Sequence, residues 1–542
     1  MDMWDTLRPV RAERAAGFYE RGWWRRETFL DDLARSVRER PDQPAVIAYE
    51  DGRYARTLTY TELTHTVDRF AAALTELGLG RGDVVVVHLP NWWMLTPLYL
   101  ACGRIRAVVA TVVPPFGGRD LRYVLETTQA KAAIVAGHFL GVNYGARLKE
   151  VAPASLRHRI VVGDAAATGA VDFTGFFVRT PWEQTHPPSQ FPVPQADDPA
   201  HIVFTSGTTG RPKGVVHSFN TMWAAGRAFS DVYRLGPGDP VIIPHYLTHL
   251  AGSCYAVWMP VAIGGTVVMQ DTTGMDLLLD LVAEHRITLM FGAPMYIIAM
   301  VEAQRGHPRD LSSLRCLNTG SAPVPPPLVA QAREVLKVRL DSNFGMTEIG
   351  AITLTREDDP EGWAGQSDGS AVDWMEVRID TPPGERLGRL LVRGASLCLG
   401  YLKHAEAFEA CLDADGFFDT GDTARGDGRG GIKITGRRGD LIIRSNGLML
   451  PTLEVEALLV AHPMVKDVVI IGYADPAGNG ADLACAVVVP EGAPPTLSDL
   501  TSYLDGQQVS WRDWPDRMEI VSELPRNQQG KVLRTALRQG LE

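Results

Sequence analysis

Short apolar runs alternate with amphipathic segments through much of this chain, and that rhythm restricts its fold more than any other feature. Thr59 to Glu62 reads as a capping box, in which the threonine hydroxyl and the glutamate carboxylate each satisfy a backbone N–H left open by the first helical turn. Leu63, Val67, Phe70, Leu74 and Leu77 follow at three- and four-residue spacing before Gly78, which predicts an amphipathic helix with a glycine stop. Asp83 to Leu89 predicts a strand, Asn91 to Arg104 a helix and Ala107 to Val113 a strand. The pattern returns as a helix near Asn220 to Val232, strands at Pro240 to Pro244 and Gly265 to Gln270, a helix at Met275 to His285 and a strand at Leu289 to Phe291. Strands this apolar are covered on both faces, so the fold class is α/β, with mostly parallel sheets packed between helices in several layers.

A chain of 542 residues exceeds one compact core, so two or more domains are expected. Between about residues 370 and 403 the runs shorten and alternate, which predicts a small antiparallel β subdomain within the large N-terminal domain. After Gly436 to Asp440 the pattern restarts with a helix at Glu454 to Ala461, strands at Asp467 to Tyr473 and Leu483 to Val489, and a helix at Leu497 to Leu504. That is a small α+β C-terminal domain, large enough to fold alone. The division expected is 1–438 and 439–542. Segments Pro181 to Pro194 and Pro323 to Pro327 read as exposed connections.

The formal net charge of −11, with no long basic tract, argues against a nucleic-acid partner. Anionic ligands must therefore meet local cations, for which Lys213, Arg437, Arg438, Arg444, Lys531 and Arg534 are candidates. Six scattered cysteines lack zinc spacing and favour a reducing cytoplasm without structural metal. Charges interrupt the stretch from Met1 to Arg26, so it has no signal-peptide core. The apolar stretch Ile242 to Met269 contains His245, His249, Pro260 and several glycines, and reads as buried structure near a site and not as a membrane span. Oligomeric state has no signal in the sequence.

Phe204-Thr205-Ser206-Gly207-Thr208-Thr209-Gly210-Arg211-Pro212-Lys213-Gly214 continues the apolar run Ile202 to Phe204. A strand feeding such a turn presents backbone N–H groups, hydroxyls and cations, which is equipment for holding polyphosphate. A Walker A loop ends in Gly-Lys-Ser/Thr, and here Pro212 precedes the lysine and Gly214 follows it. By itself the tract reads equally well as a polar loop. Four more motifs follow in order: Asn343-Phe344-Gly345-Met346-Thr347-Glu348, Phe418-Asp419-Thr420-Gly421-Asp422, Gly436-Arg437, and Pro525-Arg526-Asn527-Gln528-Gln529-Gly530-Lys531.

As an ordered set the five resemble the motifs of the adenylate-forming superfamily, which includes acyl- and aryl-CoA synthetases, peptide-synthetase adenylation domains and luciferases, over nearly the whole chain. The resemblance implies an ATP-dependent, AMP-forming ligase that uses Mg²⁺ and acts on a small-molecule substrate. It implies that Thr205, Ser206, Gly207, Thr208, Thr209 and Lys213 hold the β- and γ-phosphates, and that Glu348 binds Mg²⁺ with Thr347 beside the α-phosphate. Asn343, Phe344 and Gly345 would border the nucleotide, with Phe344 stacked on adenine, and Asp422 would take the ribose hydroxyls with Arg437 assisting. Gly320, Ser321, Ala322 and Pro323 match the loop between acceptor pocket and adenine, and His249 stands where the family places an aromatic gate. Lys531 would reach in from the small domain to bridge the acceptor oxygen and the α-phosphate. Tyr246, Trp258, Met295 and Thr319 are further candidates to line the acceptor pocket.

Two departures bear on the thiol-transfer half of the reaction. The fourth residue of the family's hinge motif is here Gly439, which permits rotation but supplies no side-chain contact. Counted from Gly447, Pro451 comes one residue earlier than in the family's Gly-x-x-Ile-x-Pro run. Three readings follow. The first is an acid–CoA ligase, supported by Tyr19 to Arg25 and Glu27 to Leu30, which resemble ligases of aromatic and cyclic acids. The second is an enzyme that loads a carrier protein. The third resembles the ATP-dependent diazotases, which activate nitrite and couple it to an aryl amine. Glu348, Asp422, Arg437 and Lys531 stand together, against a nucleotide-binding relative without chemistry.

Overall fold

The protein is described by a computed structural model covering residues 3–7, 12–205, 212–272, 274–383, 385–440, 442, 450–474, 482–526 and 532–540. The capping box forms as the sequence predicts: Thr59 N–H donates to Glu62 Oε2 at 2.8 Å, Thr59 Oγ1 accepts from Glu62 N–H at 3.2 Å, and the helix Tyr60–Glu76 follows. Its stripe of Leu63, Val67, Phe70 and Leu74 is fully buried, and Gly78 leaves the helix with φ of 74°. The helices Phe219–Ser230 and Met275–Glu284 fall where the apolar spacing puts them. The helix expected from Asn91 begins instead at Leu95, because the Asn91 amide is engaged elsewhere: it donates to the carbonyls of His245 and Gln270 and accepts from Leu247 N–H.

The described residues build two large mixed sheets of nine and eight strands. In the first, Pro44–Glu50, Thr266–Gln270, Pro240–Ile242, Leu289–Gly292, Cys316–Thr319 and Leu340–Met346 lie side by side and parallel. Antiparallel strands finish both edges, among them Gly350–Leu354 beside Leu340–Met346. The second sheet has a parallel centre that includes Val84–His88, Val108–Thr111 and Pro199–Phe204, and then adds antiparallel Gly214–Ser218 and the short strand Gly400–Tyr401. A shared apolar core joins the two sheets, which is the layered α/β arrangement expected.

The antiparallel subdomain is larger than its sequence span suggests. Met375–Asp380 and Gly388–Gly394 pair with Phe418–Gly426 and Ile432–Arg437, so the sheet extends well past residue 403. The later strands are rich in Asp, Thr, Gly and Arg, which hides them from a search for apolar alternation. After Asp440 a three-stranded sheet of Val465–Ala474, Asp482–Pro490 and Arg517–Ile520 packs with the helices Thr452–Leu459 and Leu497–Gly506 around apolar clusters of its own. Arg425–Glu454 at 3.2 Å and Arg386–Asp513 at 2.9 Å link these residues to the antiparallel sheet. Among the described residues no helix is long and apolar enough to cross a membrane, and all six cysteines are free thiols.

Candidate active site

The parallel strands of the nine-stranded sheet end along one edge, where ligands of open α/β sheets bind. Pro240–Ile242 leads to His245 and His249, Leu289–Gly292 to Tyr296, Cys316–Thr319 to Gly320-Ser321-Ala322-Pro323, and Leu340–Met346 carries Asn343, Phe344 and Gly345. Thr319 lies level with Ser342, so the Gly320 loop stands against Asn343. A Cβ on Gly320 would sit 2.6 Å from Asn343 Nδ2 and 2.8 Å from its carbonyl oxygen, which leaves room for glycine alone. Asn343 in turn donates to Asn318 Oδ1 and to the Thr319 carbonyl. Ser321 follows with φ of 68°, a strained value for a residue with a Cβ.

Thr347 and Glu348 occupy the turn between Leu340–Met346 and Gly350–Leu354. Glu348 is 7% exposed, and its Oε1 accepts from Tyr401 Oη at 2.7 Å. Among the described residues its carboxylate has no cationic partner. A buried carboxylate without a counterion is costly, so the position suits a bound cation. No group of three or more His, Cys, Asp or Glu among the described residues is placed to hold a metal, so a divalent ion here would rest on Glu348 and on ligand oxygens. That is how Mg²⁺ is commonly held, by one or two carboxylates together with substrate phosphates.

Two residues that sequence reasoning passed over hold this turn. His217, fully buried on Gly214–Ser218, bonds the Thr347 carbonyl through Nε2 at 2.8 Å and faces Thr221 Oγ1 through Nδ1 at 3.1 Å. Burial pushes its imidazole down to about 4, so it is neutral near pH 7. The other is Tyr401, whose ring lies under the Lys213 ammonium, 4.6 Å from Nζ to centroid. Neither stands in a recognisable pattern, and Tyr401 meets Glu348 only through the pairing of Val215 with Tyr401 across the sheet edge.

The glycine-rich loop is closed at its base: Thr205 N–H donates to the Lys213 carbonyl at 3.0 Å, and Lys213 N–H to Thr205 Oγ1 at 3.3 Å. Ser206, Gly207, Thr208 and Thr209 lie outside the described residues, as do Arg444, Gly447 and Lys531. The ends of the closing motif are clamped in a similar way, by an antiparallel bridge between Arg526 and Val532 and a 2.8 Å bond from Leu533 N–H to the Pro525 carbonyl.

Asp422 and Arg437 face each other on neighbouring antiparallel strands, with Arg437 Nε 2.8 Å from Asp422 Oδ1. The carboxylate is 4% exposed while half of the arginine side chain remains open to solvent. Arg438 pairs with Asp419 at 2.7 Å. Arg534 is not a site cation: it is buried in the C-terminal unit, bonded to Glu456 at 2.8 Å and to the Ile470 carbonyl at 2.6 Å.

On the acceptor side, His245 meets Phe291 at 5.6 Å, Tyr296 at 6.2 Å and His249 at 6.1 Å between ring centroids. Burial pushes the His245 imidazole down to about 3, so this ring is neutral near pH 7. Asn91 fixes the segment through its bonds at His245 and Leu247. Trp258 is a core residue and not a pocket wall, buried among Phe29, Tyr99 and Phe219 with its indole N–H on His201. Met295 is more than half exposed, Tyr246 is half-buried and Thr319 is fully buried.

Chemistry at this edge would bring a polyphosphate against a second anion, and the layout is that of the adenylate-forming ligases. The AMP-binding enzyme family profile matches residues 33–402, and the profile of the AMP-binding enzyme C-terminal domain matches 454–531. The chain belongs to that family and is an ATP-dependent, AMP-forming ligase. It is 28% identical to the medium-chain fatty-acid–CoA ligase of Escherichia coli, over 98% of this chain and 93% of that protein. It is 29% identical to the salicyl-AMP ligase/salicyl-S-ArCP synthetase of Mycobacterium tuberculosis, again over 98% and 93%. The crystal structure of the anthranilate CoA ligase AuaEII superposes with a TM-score of 0.82 over 95% of this chain and 97% of that one, at 22% identity, a likeness of fold.

Proposed function

We propose that the enzyme activates a small aromatic or cyclic carboxylic acid and transfers it to CoA. A carboxylate oxygen attacks the α-phosphorus of ATP, the bond from that phosphorus to the bridging oxygen breaks, and pyrophosphate leaves with the electron pair. The CoA thiolate then attacks the acyl carbonyl, and AMP departs with its oxygen. The observation that carries the choice of acid is the cluster of rings formed by His245, Phe291, Tyr296 and His249, which suits a flat or compact ring. A relative that makes salicyl-AMP supports the same reading.

Two anions must meet for the first step, so fixed donors and cations are needed where charge gathers. Thr205, Ser206, Gly207, Thr208, Thr209 and Lys213 hold the β- and γ-phosphates, and Thr347 stands beside the α-phosphate. Phe344 stacks on adenine between Asn343 and Gly345, and Asp422 accepts from the ribose hydroxyls while Arg437 holds its carboxylate. Gly320, Ser321, Ala322 and Pro323 separate nucleotide from acceptor, with His249 as gate. Magnesium bound at Glu348 would offset phosphate charge. Lys531 bridges the acceptor oxygen and the α-phosphate, delivered by a unit of residues 439–542 that turns about Gly439. Six free thiols favour action in the cytoplasm.

Gly439 and the early Pro451 favour a second reading, in which nitrite is the activated anion and an aryl amine its acceptor. A third, loading of a carrier protein, is supported by the salicyl-S-ArCP synthetase relative. Mass spectrometry of products from Mg-ATP and a panel of aryl and amino-aryl acids, with CoA, nitrite or neither, separates these. A thioester formed only with CoA establishes the ligase. A nitrite-dependent product with CoA dispensable establishes the second reading, and acyl-AMP alone directs attention to a carrier.

A further inference from the structure

Tyr401 is held on several sides. Its backbone pairs with Val215, and Leu402 N–H donates to the Gly214 carbonyl at 2.8 Å. Phe408 packs edge-on against its ring at 5.3 Å, and its hydroxyl donates to Glu348 Oε1 at 2.7 Å. Over the same ring stands the Lys213 ammonium, 4.6 Å from the centroid. One aromatic side chain thus touches the loop lysine through its face and the buried carboxylate through its hydroxyl. Opposite charges this close would otherwise draw together, and more strongly in a buried setting than in water. Yet Lys213 and Glu348 form no ion pair: the lysine is satisfied by the negative face of the ring and the carboxylate by the phenol.

We infer that Tyr401 is a positioning residue that keeps Lys213 and Glu348 apart, leaving the first available to phosphate and the second to a divalent cation. The inference rests on the roles proposed above for those two residues. Phenylalanine at this position keeps the spacer and the cation–ring contact and loses the hydroxyl. Leucine loses both, and lets the lysine fall onto the carboxylate.

Calorimetric titration of a non-hydrolysable ATP analogue, with Mg²⁺ and with EDTA, tests this without relying on turnover. Y401F should bind the analogue in EDTA within twofold of wild type, while the affinity gained on adding Mg²⁺ drops about tenfold, the scale of one hydrogen bond to a charged group. Y401L should also bind at least fivefold more weakly in EDTA, and adding E348Q to it should restore that loss by releasing Lys213. A metal-dependent gain in Y401F equal to wild type, or no restoration in Y401L/E348Q, overturns the inference. Should Y401L fail to fold, Y401F decides alone. E348Q by itself separates the two levels. If it keeps the full metal-dependent gain, the Glu348 assignment fails and the inference with it; if it abolishes the gain while Y401F does not reduce it, Tyr401 alone is rejected.

Discussion

His217 donates from Nε2 to the Thr347 carbonyl across 2.8 Å, tying the strand that leaves the glycine-rich loop to the Thr347-Glu348 turn. A carbonyl can only accept, so this bond sets the tautomer and leaves Nδ1 to accept from Thr221. Replacement by phenylalanine strands a buried carbonyl and should cost about 1–3 kcal/mol of stability, with a several-fold rise in KM for Mg-ATP. H217Q, which can donate, should recover most of both. Urea unfolding and ATP kinetics on the two variants check this, and an H217F protein as stable as wild type would mean the bond is idle.

Buried imidazoles give a pH dependence of stability with a definite sign. Burial pushes His88 and His217 down to about 4, and His201 and His245 to about 3, below the ordinary histidine value. Between those values and about 6.5 the unfolded chain binds protons that the folded chain refuses. The stability from keeping these rings neutral is full above about pH 6.5 and is lost as pH falls toward 4, by up to about 1.4 kcal/mol per unit for each ring. Denaturant midpoints from pH 7.5 to 4.5 should follow that course, and H217Q should flatten it. A midpoint independent of pH over this interval contradicts the assignment.

Lys531→Ala should slow acyl-AMP formation by several powers of ten while leaving ATP affinity nearly unchanged, because its contact is proposed to form mainly in the transition state. Pyrophosphate release in single turnover measures the first quantity and calorimetry the second. Unimpaired AMP formation would remove Lys531 from catalysis.

Asp422→Asn should weaken ATP and AMP binding alike, by about tenfold to a hundredfold, since the role proposed for it gives two charge-assisted bonds to a ribose common to both. Loss of ATP affinity with AMP affinity intact would place Asp422 elsewhere than at the ribose.

Gly320→Ala puts a methyl group 2.6 Å from Asn343 Nδ2 and 2.8 Å from its carbonyl. The neighbouring strand must shift, so a loss of about 1–3 kcal/mol in stability is expected, together with weaker nucleotide binding. Comparison with S321A, which adds no atoms, isolates the effect, and equal melting temperatures for the two would show that the contact yields freely.

Elements with one clear period were legible from the sequence. The Thr59 capping box and its helix, the valine-rich Val84–His88 strand and the C-terminal strands all follow from local pattern. What escaped depends on partners distant in sequence. Asn91 looked like a helix start, but its amide serves backbone more than 150 residues away. Trp258 suggested a pocket wall by residue type, whereas four surrounding side chains make it core. Tyr401 has no local signal, because the pair Gly400–Tyr401 becomes a strand only against Gly214–Ser218. The motifs named Glu348, Asp422 and Arg437, but not the phenol and imidazole that hold the Thr347-Glu348 turn.

The clamp between Pro525 and Leu533 bears on timing. Val532 is pinned to Arg526 and packs on the Leu524 cluster of the C-terminal sheet. The described residues on either side of the closing motif are thus tied to each other and to the C-terminal sheet. In the role proposed for Lys531, the tempo of the first step is set by residues 439–542 turning as a body of some hundred residues through water.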